Sequence, residues 1–315
     1  MLINSIVMAS SWEQKADMPM PRYRHSSIQI NDKIYILGGY NIGITKRVQE
    51  YDPQADTWAD KTSMPAELGY LSICASDEKI YVIQGSANET CEVYEYNTLA
   101  DEWTKKANLP TTRRDHGACV VDGQVYVIGG NTNAGALKTV EIYDPETDKW
   151  TKGKDLPTPR TRAVVESVNG KIYVMGGMDE SSLLSASVEE FSPITGLWKE
   201  KTNIPRPRYN FATCVLDGRI YVIGGMVQGK NDWENVGTVE EYNPTEDRWA
   251  LKSTMPKSRS KLSACSYDRK IYAFGGVGEN WEQEPLATVE TYNPWVVSVS
   301  PQNRLSTTRG NLKDR

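Results

Sequence analysis

One phrase recurs six times along this chain, and its recurrence leaves few folds open. The segments KIYILGGY, KIYVIQGS, QVYVIGGN, KIYVMGGM, RIYVIGGM and KIYAFGGV place a tyrosine at 35, 81, 126, 173, 221 and 272, a period of 45 to 51 residues. A tryptophan lies 23 residues before each of them, at Trp12, Trp58, Trp103, Trp150, Trp198 and Trp249. Five copies of a second phrase, such as VEIYDPETDKW, end on a tryptophan seven residues after a Tyr or Phe; the sixth, VETYNPWVVSVS, has Val299 there. The tryptophan that the sixth copy lacks is Trp12, at the other end of the chain.

Each unit reads as four short strands. An apolar stretch such as GACVVD turns through DG or NG into VYVIGG, and a loop then leads to TVEIYD and DKWTK. A meander of this kind has two apolar faces and cannot bury both alone. Units must therefore stack, and six of them stacked radially close a ring with few open edges. The prediction is an all-β, six-bladed β-propeller of four-stranded antiparallel blades over residues 11–294. Residues 257–294 supply only three strands, so the N-terminal segment SSWEQKA is expected to complete the last blade. Residues 1–10 read as an N-terminal extension, and the polar, aperiodic stretch 295–315 as a mobile tail.

The glycine pair after YVI, the later VE-x-Y-D/N-P and the Trp seven residues after its Tyr resemble kelch repeats, with Gln84-Gly85 of blade two the main departure. The GH and WD signatures of the rival tryptophan-aspartate propellers are missing. The resemblance implies a central channel with the entry to each innermost strand at its mouth. It also implies a loop face presented to a protein or peptide.

Composition narrows the function classes. The balance of 36 basic against 41 acidic residues, net charge -5, lacks the basic surplus that nucleic acid requires. No apolar run is long enough for a membrane span. Four of the five cysteines (Cys74, Cys119, Cys214 and Cys265) occupy one repeat position, which reads as buried thiols and points to a reducing, cytoplasmic setting, secretion remaining open.

The six copies act as internal controls: what recurs is scaffold, and what differs is a candidate for function. The glycine pairs and motif tryptophans recur. So does an Arg thirteen residues before the tyrosine (Arg22, Arg113, Arg160, Arg208, Arg259), with a Glu after the third-strand Val (Glu141, Glu189, Glu240, Glu290). These predict an Arg–Glu ion pair in blades three to six. Blade one has Gln49 at the Glu position, and blade two has Leu68 and Tyr94.

The position eleven before the tyrosine differs most: Arg24, Tyr70, Asp115, Arg162, Asn210 and Lys261. All length variation falls in the loop between the glycine pair and the third strand, which runs 8, 7, 9, 10, 13 and 12 residues in blades one to six. Insertions confined to one face are how repeat proteins build binding surfaces. Tyr40 lies in the first of these loops, and Trp233 and Trp281 lie in the two longest. Glu166 replaces the Ile28 or Cys of the other blades at an apolar strand position.

Candidate chemistry is sparse. His25 and His116 share one repeat position in non-adjacent blades and read as structural. No phosphate-cradling loop, Ser/His/Asp set or paired zinc motif appears, so neither cofactor nor metal is expected. Two classes remain. The favoured one is a non-catalytic scaffold that binds a protein or peptide through the six-residue ring, Tyr40, Trp233 and Trp281. The alternative resembles the bacterial kelch mutarotases that act on sialic acids: a sugar-like ligand at the channel mouth, with Glu166, Asp115 and Arg162 as its acid-base and binding groups.

Overall fold

The computed structural model describes residues 12–86, 90–230, 232–278 and 284–295. Trp281, the extension 1–10 and the tail beyond Trp295 lie outside the described residues. Within them are six four-stranded antiparallel sheets, so the expected propeller is present. Blade four shows the pattern: Val164–Val168, Lys171–Met175, Val188–Ser192 and Leu197–Lys201 run from the channel outward as a meander. Its first turn carries Asn169 and Gly170 at φ 51° and 70°, the paired positive dihedrals that match the twist of adjoining strands.

The ring closes as expected. Ser263–Tyr267, Lys270–Phe274 and Val289–Tyr292 make three strands of the last blade, and Trp12–Lys15 adds the fourth with Trp12 opposite Tyr292. Trp12 stacks on Tyr292 at 5.2 Å, and its indole N–H donates to Ser253 of blade five. The other motif tryptophans repeat this arrangement. Each packs its ring, stacked or tilted, against the third-strand aromatic of its own blade at 4.7–5.0 Å and donates to a backbone carbonyl that precedes the blade, as Trp150 does to Ala107. The tryptophan is thus a staple between blades as well as apolar filler.

Apolar side chains gather in six clusters, one in each seam between neighbouring blades. The innermost strands pack beside one another around the axis, and Ser26–Ile30 meets Ser263–Tyr267 to complete the circle. All five cysteines are buried and free.

The predicted ion pairs are present in blades three to six: Arg113–Glu141 at 2.5 Å, Arg160–Glu189 at 2.7 Å, Arg208–Glu240 at 2.6 Å and Arg259–Glu290 at 2.6 Å. Each guanidinium also donates to the carbonyl of the first glycine of its pair, as Arg160 does to Gly176. At the second glycine of blade four, Gly177, φ is 84° and a Cβ would stand 2.4 Å from the Thr161 carbonyl oxygen. Both the conformation and the close approach require glycine there.

Two of the variable loops hold more order than the sequence suggested. Met226–Gln228 pairs with Trp233–Asn235 in blade five, and Asn131–Thr132 with Gly135–Ala136 in blade three. These loops are long enough to fold back on themselves, and pairing satisfies backbone groups that would otherwise need water.

Candidate functional site

The six variable residues converge. Arg24, Tyr70, Asp115, Arg162, Asn210 and Lys261 all line one cavity of about 300 Å³ at the channel mouth. Each has φ between 48° and 55°, in the left-handed region that bulky side chains seldom adopt. The conformation is common to all six blades, so it belongs to the scaffold. Backbone bonds between blades hold it: Arg24 donates its N–H to Lys261, Lys261 to Asn210, and Arg162 to Asp115, at 2.8–2.9 Å. The fold fixes six equivalent display positions, and the sequence fills them with six different chemistries.

Three of those side chains are cations and one is a carboxylate. Asp115 accepts from the Arg162 Nε at 3.4 Å. Burial lowers the Lys261 ammonium pKa below its ordinary value, and the nearby Arg24 and Arg162 guanidinium groups lower it further. The mouth therefore holds like charges close together in partial isolation from water, an arrangement that an incoming anion relieves.

Aromatic rings flank these cations in two arcs. Arg24 lies 5.5 Å over the ring of Tyr70, which meets Tyr40 edge-on; Tyr40 stacks on Tyr23, and Lys261 lies 5.2 Å over Tyr23. On the far side Arg162 lies 5.8 Å over Tyr209, whose ring meets Trp233 edge-on at 5.1 Å. Trp233 is half-buried, and it connects to the mouth through Tyr209. The sequence reading missed Tyr23 and Tyr209. Both directly precede a variable residue, at a position that also differs from blade to blade: Tyr23, Gly69, Arg114, Thr161, Tyr209 and Ser260.

Glu166 stands apart from the mouth pair. Its carboxylate accepts a 2.6 Å hydrogen bond from Thr213, a residue of the neighbouring blade that itself lines the cavity. Protein surrounds the carboxyl although the residue as a whole is only half-buried, and this desolvation pushes its pKa up to about 7. Asp115 and Arg162 are thus together and Glu166 is apart from them, its one hydrogen bond coming from a neutral hydroxyl.

His25 and His116 also border the cavity, but burial, helped by the Arg22 and Arg113 guanidinium groups, holds both near pKa 3. They remain neutral under any ordinary condition. Among the described residues, no group of three or more His, Cys, Asp or Glu is placed to hold a metal ion. No helix of the described residues is long and apolar enough to cross a membrane.

A six-bladed ring with a loop-lined, cationic mouth is the class of protein that fold and site define. The chain matches the KLHDC2/KLHL20/DRC7 Kelch-repeats domain over residues 72–276, more than half its length, and the Kelch motif over 21–65 and 258–296. It belongs to the kelch-repeat family. Over 76 residues it is 32% identical to beta-scruin of Limulus polyphemus, covering 24% of this chain and 8% of that protein. Over 79 residues it is 33% identical to Kelch-like protein 26 of Danio rerio, covering 24% of this chain and 13% of that one. The matched stretch is thus a small fraction of these relatives. Among solved structures, one titled "Structure of YjhT" shares the fold at a TM-score of 0.73 and 18% identity, covering 87% of this chain and 95% of that chain.

Proposed function

We propose that the protein is a non-catalytic binding scaffold that engages an anionic segment of a protein or peptide partner at the channel mouth. The observation that carries this reading is the ring itself: six scaffold-equivalent positions with unlike side chains, three of them cations crowded around one cavity. Charge-assisted hydrogen bonds to carboxylate or phosphate oxygens are the strongest contacts such a mouth can offer. The flanking tyrosines and Trp233 supply rigid aromatic surface of the kind that anchors interfaces. Kelch propellers commonly serve as protein-binding scaffolds, which agrees with this use of the face.

The test is selection from a random peptide library, repeated with an Arg24→Gln/Arg162→Gln/Lys261→Gln variant. Selected peptides should be acidic, and each lost cation should weaken their binding by about tenfold or more. Binding should also fall as salt rises. Peptides with no acidic bias that bind the variant equally well would refute the reading.

A further inference from the structure

Glu166 differs from every buried glutamate of the described residues. Those, from Glu95 beside Lys79 to Glu290 beside Arg259, each have a Lys or Arg within 4.0 Å. Glu166 has a neutral hydroxyl instead. A carboxylate enclosed without a cation favours its protonated form. The same strand position holds Ile28 or a cysteine in the other five blades, so the scaffold does not need a carboxylate here.

Thr213 connects this group to the cavity. While Glu166 is ionised, the Thr213 hydroxyl must donate to it, and the floor presents only acceptors and a negative charge. Once Glu166 is protonated it can donate in turn, and the floor loses its charge. Resting on the reading of the mouth as an anion-binding surface, we propose that Glu166 and Thr213 form a proton-coupled floor to the cavity. An anionic occupant then enters together with one proton, taken from solvent onto the Glu166 carboxylate.

The neighbouring groups leave Glu166 as the titrating member. From the flanking innermost strands it faces Cys119 and Cys214, whose thiols burial holds protonated. From its own blade it is paired with Tyr173, likewise held neutral by burial. Asp115, Arg162 and the other cations of the mouth line the cavity that Thr213 shares. The two cavity histidines do not titrate near neutrality.

Sulfate serves as the probe, because its charge is constant between pH 6 and pH 8. Its affinity is measured by calorimetry at both pH values for the wild type, Glu166→Gln and Thr213→Val, and the Glu166 carboxyl is followed by ¹³C NMR with and without sulfate. Wild type should bind about fivefold more tightly at pH 6, and Glu166→Gln should bind tightly and equally at both. Because linkage is reciprocal, sulfate should raise the Glu166 pKa, and Thr213→Val should reduce that rise.

Sulfate that binds wild type equally at both pH values, or Glu166→Gln that keeps the pH dependence, would overturn the coupling while leaving the cationic mouth intact. Sulfate that does not bind at either pH would overturn both.

Discussion

Blade two is a natural control for the buried ion pairs, and it allows their energetics to be tested within one molecule. In blade four the Arg160 and Glu189 side chains are 1% and 3% exposed and meet at 2.7 Å. Burial lowers the Arg160 pKa and raises that of Glu189, in both cases outweighing the attraction between them. Desolvation thus offsets much of what the pairing returns, as is usual for buried pairs. Blade two, with Leu68 and Tyr94 at the same positions, forms the same four strands without the pair.

Arg160→Leu alone would leave Glu189 buried with Thr158 but no cation as partner, and Glu189→Tyr alone would leave the guanidinium without its carboxylate. Each should cost about 3–5 kcal/mol. The double variant recreates blade-two chemistry and should lie within about 1 kcal/mol of wild type, a coupling energy well above about 2 kcal/mol. Urea unfolding followed by tryptophan fluorescence measures all four corners of the cycle. If the double variant loses as much as the two single variants together, the pair is not the unit that blade two replaces, and the argument fails.

Three further outcomes follow from the same structure. Glu166→Gln should match wild type near pH 4, where the carboxyl is protonated whether folded or not. Because the folded pKa is raised from 4.5 to about 7, wild-type stability falls as pH rises between these values, so above pH 7 the variant should be the more stable by (7 − 4.5) × 1.36, about 3 kcal/mol; parallel urea midpoints across pH check this. Trp12→Ala removes the closing staple and should cost about 3 kcal/mol, read from the same urea transition. Phe191→Tyr with Gly196→Asp should stabilise blade four by about 1 kcal/mol by adding a hydrogen bond that its sister blades already have, seen as a raised melting temperature.

The fold was legible because six copies repeat one pattern of strand, turn and staple, and the distance from each Trp to the next tyrosine never changes. The blade closure was legible for the same reason: Val299 at the sixth motif position and the surplus Trp12 ahead of the first repeat account for each other. The ring of variable residues could be located by counting, since equivalent repeat positions occupy equivalent places around an axis. The sequence did not show which neighbours those residues meet across blades. Tyr209 reaches Arg162 from the next blade, and Thr213 reaches Glu166 across a seam, at separations of 47 residues that no local pattern records.

One inter-blade device could have been read by treating differences between copies as coupled pairs. The third-strand tyrosine donates its hydroxyl to an Asp five residues on, at 2.6 Å in Tyr143–Asp148 and Tyr242–Asp247, and that Asp also accepts a backbone N–H that precedes the blade. Blade four has Phe191 in place of the tyrosine and Gly196 in place of the Asp. Donor and acceptor are lost together, which is what a buried hydrogen bond demands, because either group alone would be left unpaired. Gly196 keeps φ at 66°, close to the 54° of Asp148 and the 52° of Asp247, so the backbone has kept the place for the acceptor. The ion-pair positions show the same coupling in blade two, where Arg and Glu are lost together. In blade one Gln49 takes the place of the Glu and still accepts from Arg22, so donor and acceptor stay matched although only one of the two has changed. At these scaffold positions a change in one residue is met by its partner, and Arg24, Tyr70, Asp115, Arg162, Asn210 and Lys261 vary over that constant frame.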